Sequence, residues 1–301
     1  MQEIIIDIGS GNIKAYSIDE EKEIKSVYLK NIMFKKNFSK ENGIAEKDKR
    51  ELIEAIREIQ KQNVNIPIHA YATSIFRMLS KELLEKLQKE IEAETGIKIN
   101  VITQHQEELY MAKAVGNIEE LEEPYLVSCV GGSSTEMIVM QNGKIIEQLT
   151  EEFATGDIMK KFPEIAEDRP NLNIEEMYKY IEENLIKLPK TKCKYAIFTG
   201  FHLMYNTVAQ NKMNENTFFK RKDIPYYLTA EQFIKNNEEA VKTRSLNELK
   251  ERYPENPNFM NGTRGAHTIV SYILEQIGAE FYFPTNLNMI HGVAESLRNK
   301  K

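Results

Sequence analysis

One short stretch of this chain occurs twice. Ile4-Ile5-Ile6-Asp7-Ile8-Gly9-Ser10-Gly11-Asn12-Ile13-Lys14 aligns with Leu126-Val127-Ser128-Cys129-Val130-Gly131-Gly132-Ser133-Ser134-Thr135-Glu136, with Gly9 falling on Gly131, 122 positions later. Each copy is an apolar strand, a loop of small residues and a second strand of alternating character. The second strands run into turns, Asp19-Glu20-Glu21-Lys22 in one copy and Gln141-Asn142-Gly143-Lys144 in the other. Asn-Gly is a hairpin signal because a type I′ turn needs positive φ at both central residues. Third strands are predicted at about 24–30 and 144–149. One hairpin unit per half, in a chain of 301 residues, predicts duplicated α/β domains with a cleft between them. The acidic, proline-containing stretch Asn117 to Pro124 sets the boundary, giving domains 1–120 and 121–301.

Helices are expected between the strands. Leu52, Ile56 and Ile59 recur at helical spacing in 46–61. A second helix runs from about 80 to Thr95 and stops at Gly96, a left-handed C′ candidate. A third opens near Gln104 and ends at Gly116. Asn173 with Glu176, and Thr229 with Gln232, have the spacing of capping boxes. Further helices are predicted at 263–277 and 287–299, and strands at 66–72, 97–103 and 194–199, an alternation typical of α/β folds.

The composition narrows the class. Forty basic against 46 acidic residues give a net charge of -6, which argues against a nucleic-acid binder relying on phosphate neutralisation. Two cysteines, Cys129 and Cys193, exclude a disulfide framework and fit a reducing compartment. No apolar run approaches a bilayer span and no secretory signal is evident, so a cytoplasmic protein without membrane partners is expected.

The two glycine loops carry the chemistry. A tight Gly/Ser/Thr turn lets backbone N–H groups point into one concavity, an anion-binding nest. Gly9, Ser10, Gly11 and Asn12 form the first candidate, and Gly131, Gly132, Ser133, Ser134 and Thr135 the second. Ser10, Ser134 and Thr135 offer hydroxyl donors as well. No G-x-x-x-x-G-K-[ST] P-loop is present. Asp7 precedes one loop and Glu136 follows the other, each a candidate metal or water ligand.

Asp7-Ile8-Gly9-Ser10, Ala72-Thr73-Ser74-Ile75-Phe76-Arg77, Glu107-Glu108 and Gly131-Gly132-Ser133-Ser134-Thr135-Glu136 occur in the order and spacing of the exopolyphosphatase/guanosine pentaphosphate phosphohydrolase family. The chain resembles its short, two-domain members. The resemblance implies an α/β fold of two ribonuclease-H-like domains, of the actin-like ATPase (sugar kinase/Hsp70/actin) superfamily, facing each other across a phosphate-binding cleft. It implies Glu108 as the base that activates water, in the first turn of the 104–115 helix where the dipole favours a carboxylate. It implies Arg77 as a grip on phosphate oxygens, and Asp7 and Glu136 as ligands positioning Mg²⁺ and water. Inorganic polyphosphate or guanosine pentaphosphate is the implied substrate, and a homodimer the candidate assembly.

The chain departs from the family pattern at several positions. Cys129 replaces the aspartate of the second loop, and a thiol is a poor magnesium ligand. Ser133 replaces the third glycine, Leu109-Tyr110 stands where an arginine usually follows the glutamates, and Met289-Ile290-His291-Gly292 replaces Leu-Arg-Glu-Gly. Cys129 as a nucleophile fails the C-x5-R test, since Thr135 lies six positions on, and Cys193 fails likewise with Thr199. The five histidines lack metal-ligand spacing. Thr199-Gly200, after the strand Tyr195 to Phe198, is a weak candidate for a third phosphate loop. Two readings therefore compete: a hydrolase of terminal phosphoanhydrides, and a polyphosphate- or nucleotide-binding protein weakened by Cys129. A superfamily kinase is a third, disfavoured by the paired glutamates.

Overall fold

The computed structural model describes residues 2–19, 23–32, 34–185 and 187–298. The turn residues Glu20 to Lys22 and the last predicted helical residue, Asn299, lie outside them. The chain divides into two compact units, residues 1–110 with 289–301, and residues 111–288.

The first unit holds a five-stranded sheet of β1 (Glu3–Ile8), β2 (Asn12–Ile18), β3 (Ile24–Asn31), β4 (Ile68–Ala72) and β5 (Ile99–Val101), in the order β3-β2-β1-β4-β5. β1, β2 and β3 are antiparallel neighbours, whereas β4 and β5 run parallel to β1. The helices are α1 (Phe34–Asn37), α2 (Glu46–Gln62), α3 (Lys81–Thr95) and the start of α4 (Gln104–Val115). Central strand β1 is apolar on both faces because both are covered. Ile4, Ile6 and Ile8 pack with Leu52, Ile56 and Ile59 of α2. Ile5 faces the other way, with Tyr16 and Ile18. Each fully buried isoleucine contributes roughly 1.5–3 kcal/mol. Ser80 caps α3 and Gly96 ends it at φ 71°, as its sequence predicts.

The second unit repeats this plan and extends it. β6 (Tyr125–Val130), β7 (Thr135–Gln141) and β8 (Lys144–Glu151) form the antiparallel part, followed by α5 (Thr155–Lys161) and α6 (Ile174–Asn184). Next come β9 (Tyr195–Thr199), α7 (His202–Val208), β10 (Asn214–Glu215), β11 (Tyr226–Thr229), α8 (Ala230–Lys242), α9 (Leu246–Arg252), α10 (Thr263–Ile277) and β12 (Phe281–Pro284). The sheet order is β10-β11-β12-β9-β6-β7-β8, so β8-β7-β6-β9-β12 reproduces the first unit's order. Asn142 and Gly143 have φ of 49° and 70°, the positive pair expected for their turn. Thr229 and Gln232 form the expected capping box, while Asn173 caps α6 by accepting from the Glu175 amide instead.

The last helix, α11 (Met289–Arg298), returns to the first unit. Its Ile290, Val293 and Ala294 pack on Ile5, Tyr16 and Ile18. The sequence boundary at 120 assigned this helix to the second half; its apolar stripe covers the bare face of the first sheet. A Cβ on Gly292 would lie 1.8 Å from the Tyr110 carbonyl oxygen, so only glycine allows this crossing with α4. No helix among the described residues is long and apolar enough to cross a membrane.

Candidate active site

Parallel strands deliver the loops at their carboxyl ends to the same edge of a sheet. β1, β4 and β5 therefore bring together Asp7 and the first glycine loop, the 3₁₀ turn Ser74–Met78 with Arg77, and the start of α4 with Glu107 and Glu108. Amides knit these ends, Thr73 N–H donating to the Ile8 carbonyl and Ile102 N–H to that of Ala72, both at 3.1 Å.

The start of α4 is fixed by a capping box. Gln106 N–H donates to Thr103 Oγ1 at 3.1 Å, and Thr103 N–H to Gln106 Oε1 at 2.9 Å. The helix consequently begins at Gln104, which puts Glu107 in its first turn. Glu108 falls in the second turn, not the first as its sequence position suggested, because in a helix that begins at Gln104 the first turn ends with Glu107. Glu108 is buried, with His105 Nδ1 4.0 Å from its Oε2. Glu107 Oε2 accepts from Arg77 Nη1 at 2.6 Å, and Gln104 Oε1 from Arg77 Nη2 at 2.5 Å.

The site is electrostatically strained toward the negative. Burial pushes the Asp7 carboxyl above the usual range, with Lys14 opposing. Burial raises Glu107 too, against its pairing with Arg77, and Asp7 and Glu108 add like-charge repulsion. Sequence reasoning missed Gln104 and Glu107 as partners of Arg77. The signal was there in Thr103 and Gln106, which set the helix start and so place both residues on one face.

In the two glycine loops, Gly9 N–H donates to the Asn12 carbonyl at 3.0 Å and Gly131 N–H to that of Ser134 at 2.9 Å. These two amides close the turns rather than face a ligand. The Ser10 and Gly11 carbonyls accept from Lys35 and Ile32 N–H, and the Gly131 and Gly132 carbonyls from Thr155 and Gly156 N–H. In a planar trans peptide the N–H points opposite to the C=O. The Gly11 amide, and those of Gly132 and Ser133, thus face away from the segments that hold the loops.

Two hydroxyls of the second loop, those of Ser134 and Thr135, are committed elsewhere. Ser134 Oγ donates to Glu136 Oε1 at 2.5 Å, and buried Thr135 Oγ1 to the Phe153 carbonyl at 2.7 Å. Thr199 is buried, its Oγ1 donating to the Ser128 carbonyl at 3.2 Å across the sheet. Thr135 and Thr199 thus tie the scaffold together, because their strands turn these side chains inward. Gly200, at φ 94°, gives its N–H to the Leu287 carbonyl at 2.8 Å. Cys129 faces Glu136 across the β6–β7 ladder. His202 and His267 are buried structural residues; His202 Nδ1 lies 2.8 Å from Tyr282 Oη, and burial pushes His202 down to about 3.

The two sheets repeat one strand order, so the chain is an α/β protein of two similarly ordered units. Within it, the Ppx/GppA phosphatase family model matches residues 23–255, and the chain belongs to that family. Its fold is similar to that of the Ppx/GppA family member of Aquifex aeolicus, at 18% identity and TM-score 0.72, covering 100% of this chain and 99% of that one. It is also similar to an exopolyphosphatase from Cytophaga hutchinsonii, at 15% identity and TM-score 0.74, covering 100% and 98%. No curated protein matches by sequence.

Proposed function

We propose that this family member is a phosphoanhydride hydrolase that releases the terminal phosphate of inorganic polyphosphate or the 5′-γ-phosphate of guanosine pentaphosphate. The observation that carries this reading is the convergence of Asp7, Arg77, Glu107 and Glu108 at the carboxyl ends of three parallel strands. Phosphoryl transfer needs positioning and charge stabilisation more than covalent chemistry, and this set supplies a base, a cation and a strand-end carboxylate.

In this reading Glu108 orients the attacking water and accepts its proton. Arg77 holds oxygens of the transferred group, joined by the amide of Gly11. Among the described residues no group of three His, Cys, Asp or Glu side chains is placed to cage a metal. Mg²⁺ ordinarily takes one or two carboxylates together with substrate phosphates and waters, so Asp7 fits as such a carboxylate in the first unit, and Glu136 is the corresponding candidate in the second. When bound, it would offset charge on the phosphoryl oxygens. Cys129, a thiol, does not extend that set.

Purified protein is expected to release orthophosphate from chain-length-defined polyphosphate, and Glu108→Gln to lose about 10²–10⁴-fold in kcat. Retained turnover in Glu108→Gln rules out this base. Binding without release by the wild type favours the weakened binder that Cys129 motivates.

A further inference from the structure

Arg77 is held at both terminal nitrogens by side chains of another element. Glu107 and Gln104 lie three residues apart in the first turn of α4, hence on one helix face, and each accepts from a different Nη. The Ile102 carbonyl adds a long contact to Nη1 at 3.5 Å. The capping box of Thr103 and Gln106 fixes the helix start, so the guanidinium takes its orientation from α4 rather than from its own short turn.

A guanidinium has five N–H donors. The three acceptors use both donors of Nη1 and one of Nη2. Among the described residues, Nε–H and one Nη2–H remain as donors for a phosphate. The Glu107 carboxylate also cancels much of the guanidinium charge at close range.

We infer that Glu107 and Gln104 are positioning residues that aim Arg77 at a phosphate group, and that the Glu107 charge limits how tightly that group is held. This rests on the proposed role of Arg77. A catalyst that releases orthophosphate every cycle gains nothing from gripping it too strongly, since uniform tightening lowers KM without raising kcat.

The test is calorimetric binding of tripolyphosphate at fixed Mg²⁺ to the wild type, Glu107→Gln, Glu107→Asp, Arg77→Ala and the Arg77→Ala/Glu107→Gln double variant, with thermal melts confirming each fold. Glu107→Gln keeps an acceptor oxygen but removes the charge, and is expected to bind about tenfold tighter. Glu107→Asp is expected to restore wild-type affinity within about twofold. In the Arg77→Ala background the Gln substitution is expected to change Kd by less than about twofold, because coupled residues are non-additive.

Equal tightening in both backgrounds overturns the inference, since the carboxylate then acts by general repulsion of the anion. Unchanged affinity in Glu107→Gln overturns it as well. The two proposals separate cleanly: wild type that binds tripolyphosphate without hydrolysing it breaks the hydrolase reading and leaves the clamp standing. Hydrolysis without coupling between Arg77 and Glu107 does the reverse.

Discussion

The β1–β2 and β6–β7 hairpins share a backbone and differ in chemistry. Both turns close with the glycine N–H on the carbonyl three residues later, at 3.0 and 2.9 Å. Both ladders set the second-to-last residue of the first strand opposite a charged residue, Asp7 with Lys14 and Cys129 with Glu136. The first pair is anion and cation; the second is a neutral thiol and an anion. Backbone hydrogen bonding duplicates the scaffold, while the cross-strand pair decides which hairpin presents a carboxylate from the strand leading into the turn. Only the first does so.

The largest expected consequence is catalytic. If the first hairpin carries the cation site, Asp7→Asn lowers kcat/KM for polyphosphate about 10²–10³-fold and flattens its Mg²⁺ dependence, whereas Glu136→Gln costs about tenfold. Equal losses in a phosphate-release titration would break the comparison. Stability supplies a second readout. The folded Asp7 pKa is raised above its unfolded value, so the folded state binds more protons and stability falls as pH rises through the folded pKa. Asp7→Asn is therefore expected to be more stable than wild type at pH 7, the gap closing below about pH 4, where an unfolded aspartate is itself protonated.

The next effect concerns what holds each turn. A Cβ on Gly156 would meet the Gly132 carbonyl oxygen at 2.6 Å, so the second hairpin is pinned by a close helix approach. Gly156→Ala is expected to lower unfolding free energy by about 1–3 kcal/mol, as overpacking does. A Cβ on Gly11 would meet nothing within 4 Å, and Gly11→Ala is expected to cost less than about 0.5 kcal/mol. Urea denaturation measures both, and similar costs would show that the hairpins are pinned alike.

The duplicated hairpins were legible because glycine, alternation and Asn-Gly signals are local. So was the end of α3 at Gly96. The return of α11 to the first unit was not, since an apolar stripe at helical spacing does not say which sheet it covers. Side-chain commitments inside the site also escaped: Thr135 and Thr199 look like donors in sequence, but strand pleat turns them toward backbone carbonyls. Arg264 is the extreme case, fully buried in α10. Its nitrogens donate to the carbonyls of Ala240, Ile165, Glu167, Asp168 and Arg244 at 2.6–2.9 Å. Main-chain acceptors leave no residue-type signature, so nothing in the sequence marks this arginine as a core tie.

The smallest expected effect bears most directly on the asymmetry between the hairpins. Cys129→Asp places a carboxylate directly across the ladder from Glu136. Like charges directly opposite on a ladder destabilise by roughly 0.2–1 kcal/mol. The Cys129 thiol packs 3.4 Å from where a Gly200 Cβ would stand, and aspartate is of similar size, so repulsion rather than packing is expected to dominate. Thermal melts at pH 7 should show a small loss that Mg²⁺ reverses, since two facing carboxylates suit a hard cation. A loss that Mg²⁺ leaves untouched would mean that the second hairpin cannot be given the first one's chemistry by a single carboxylate.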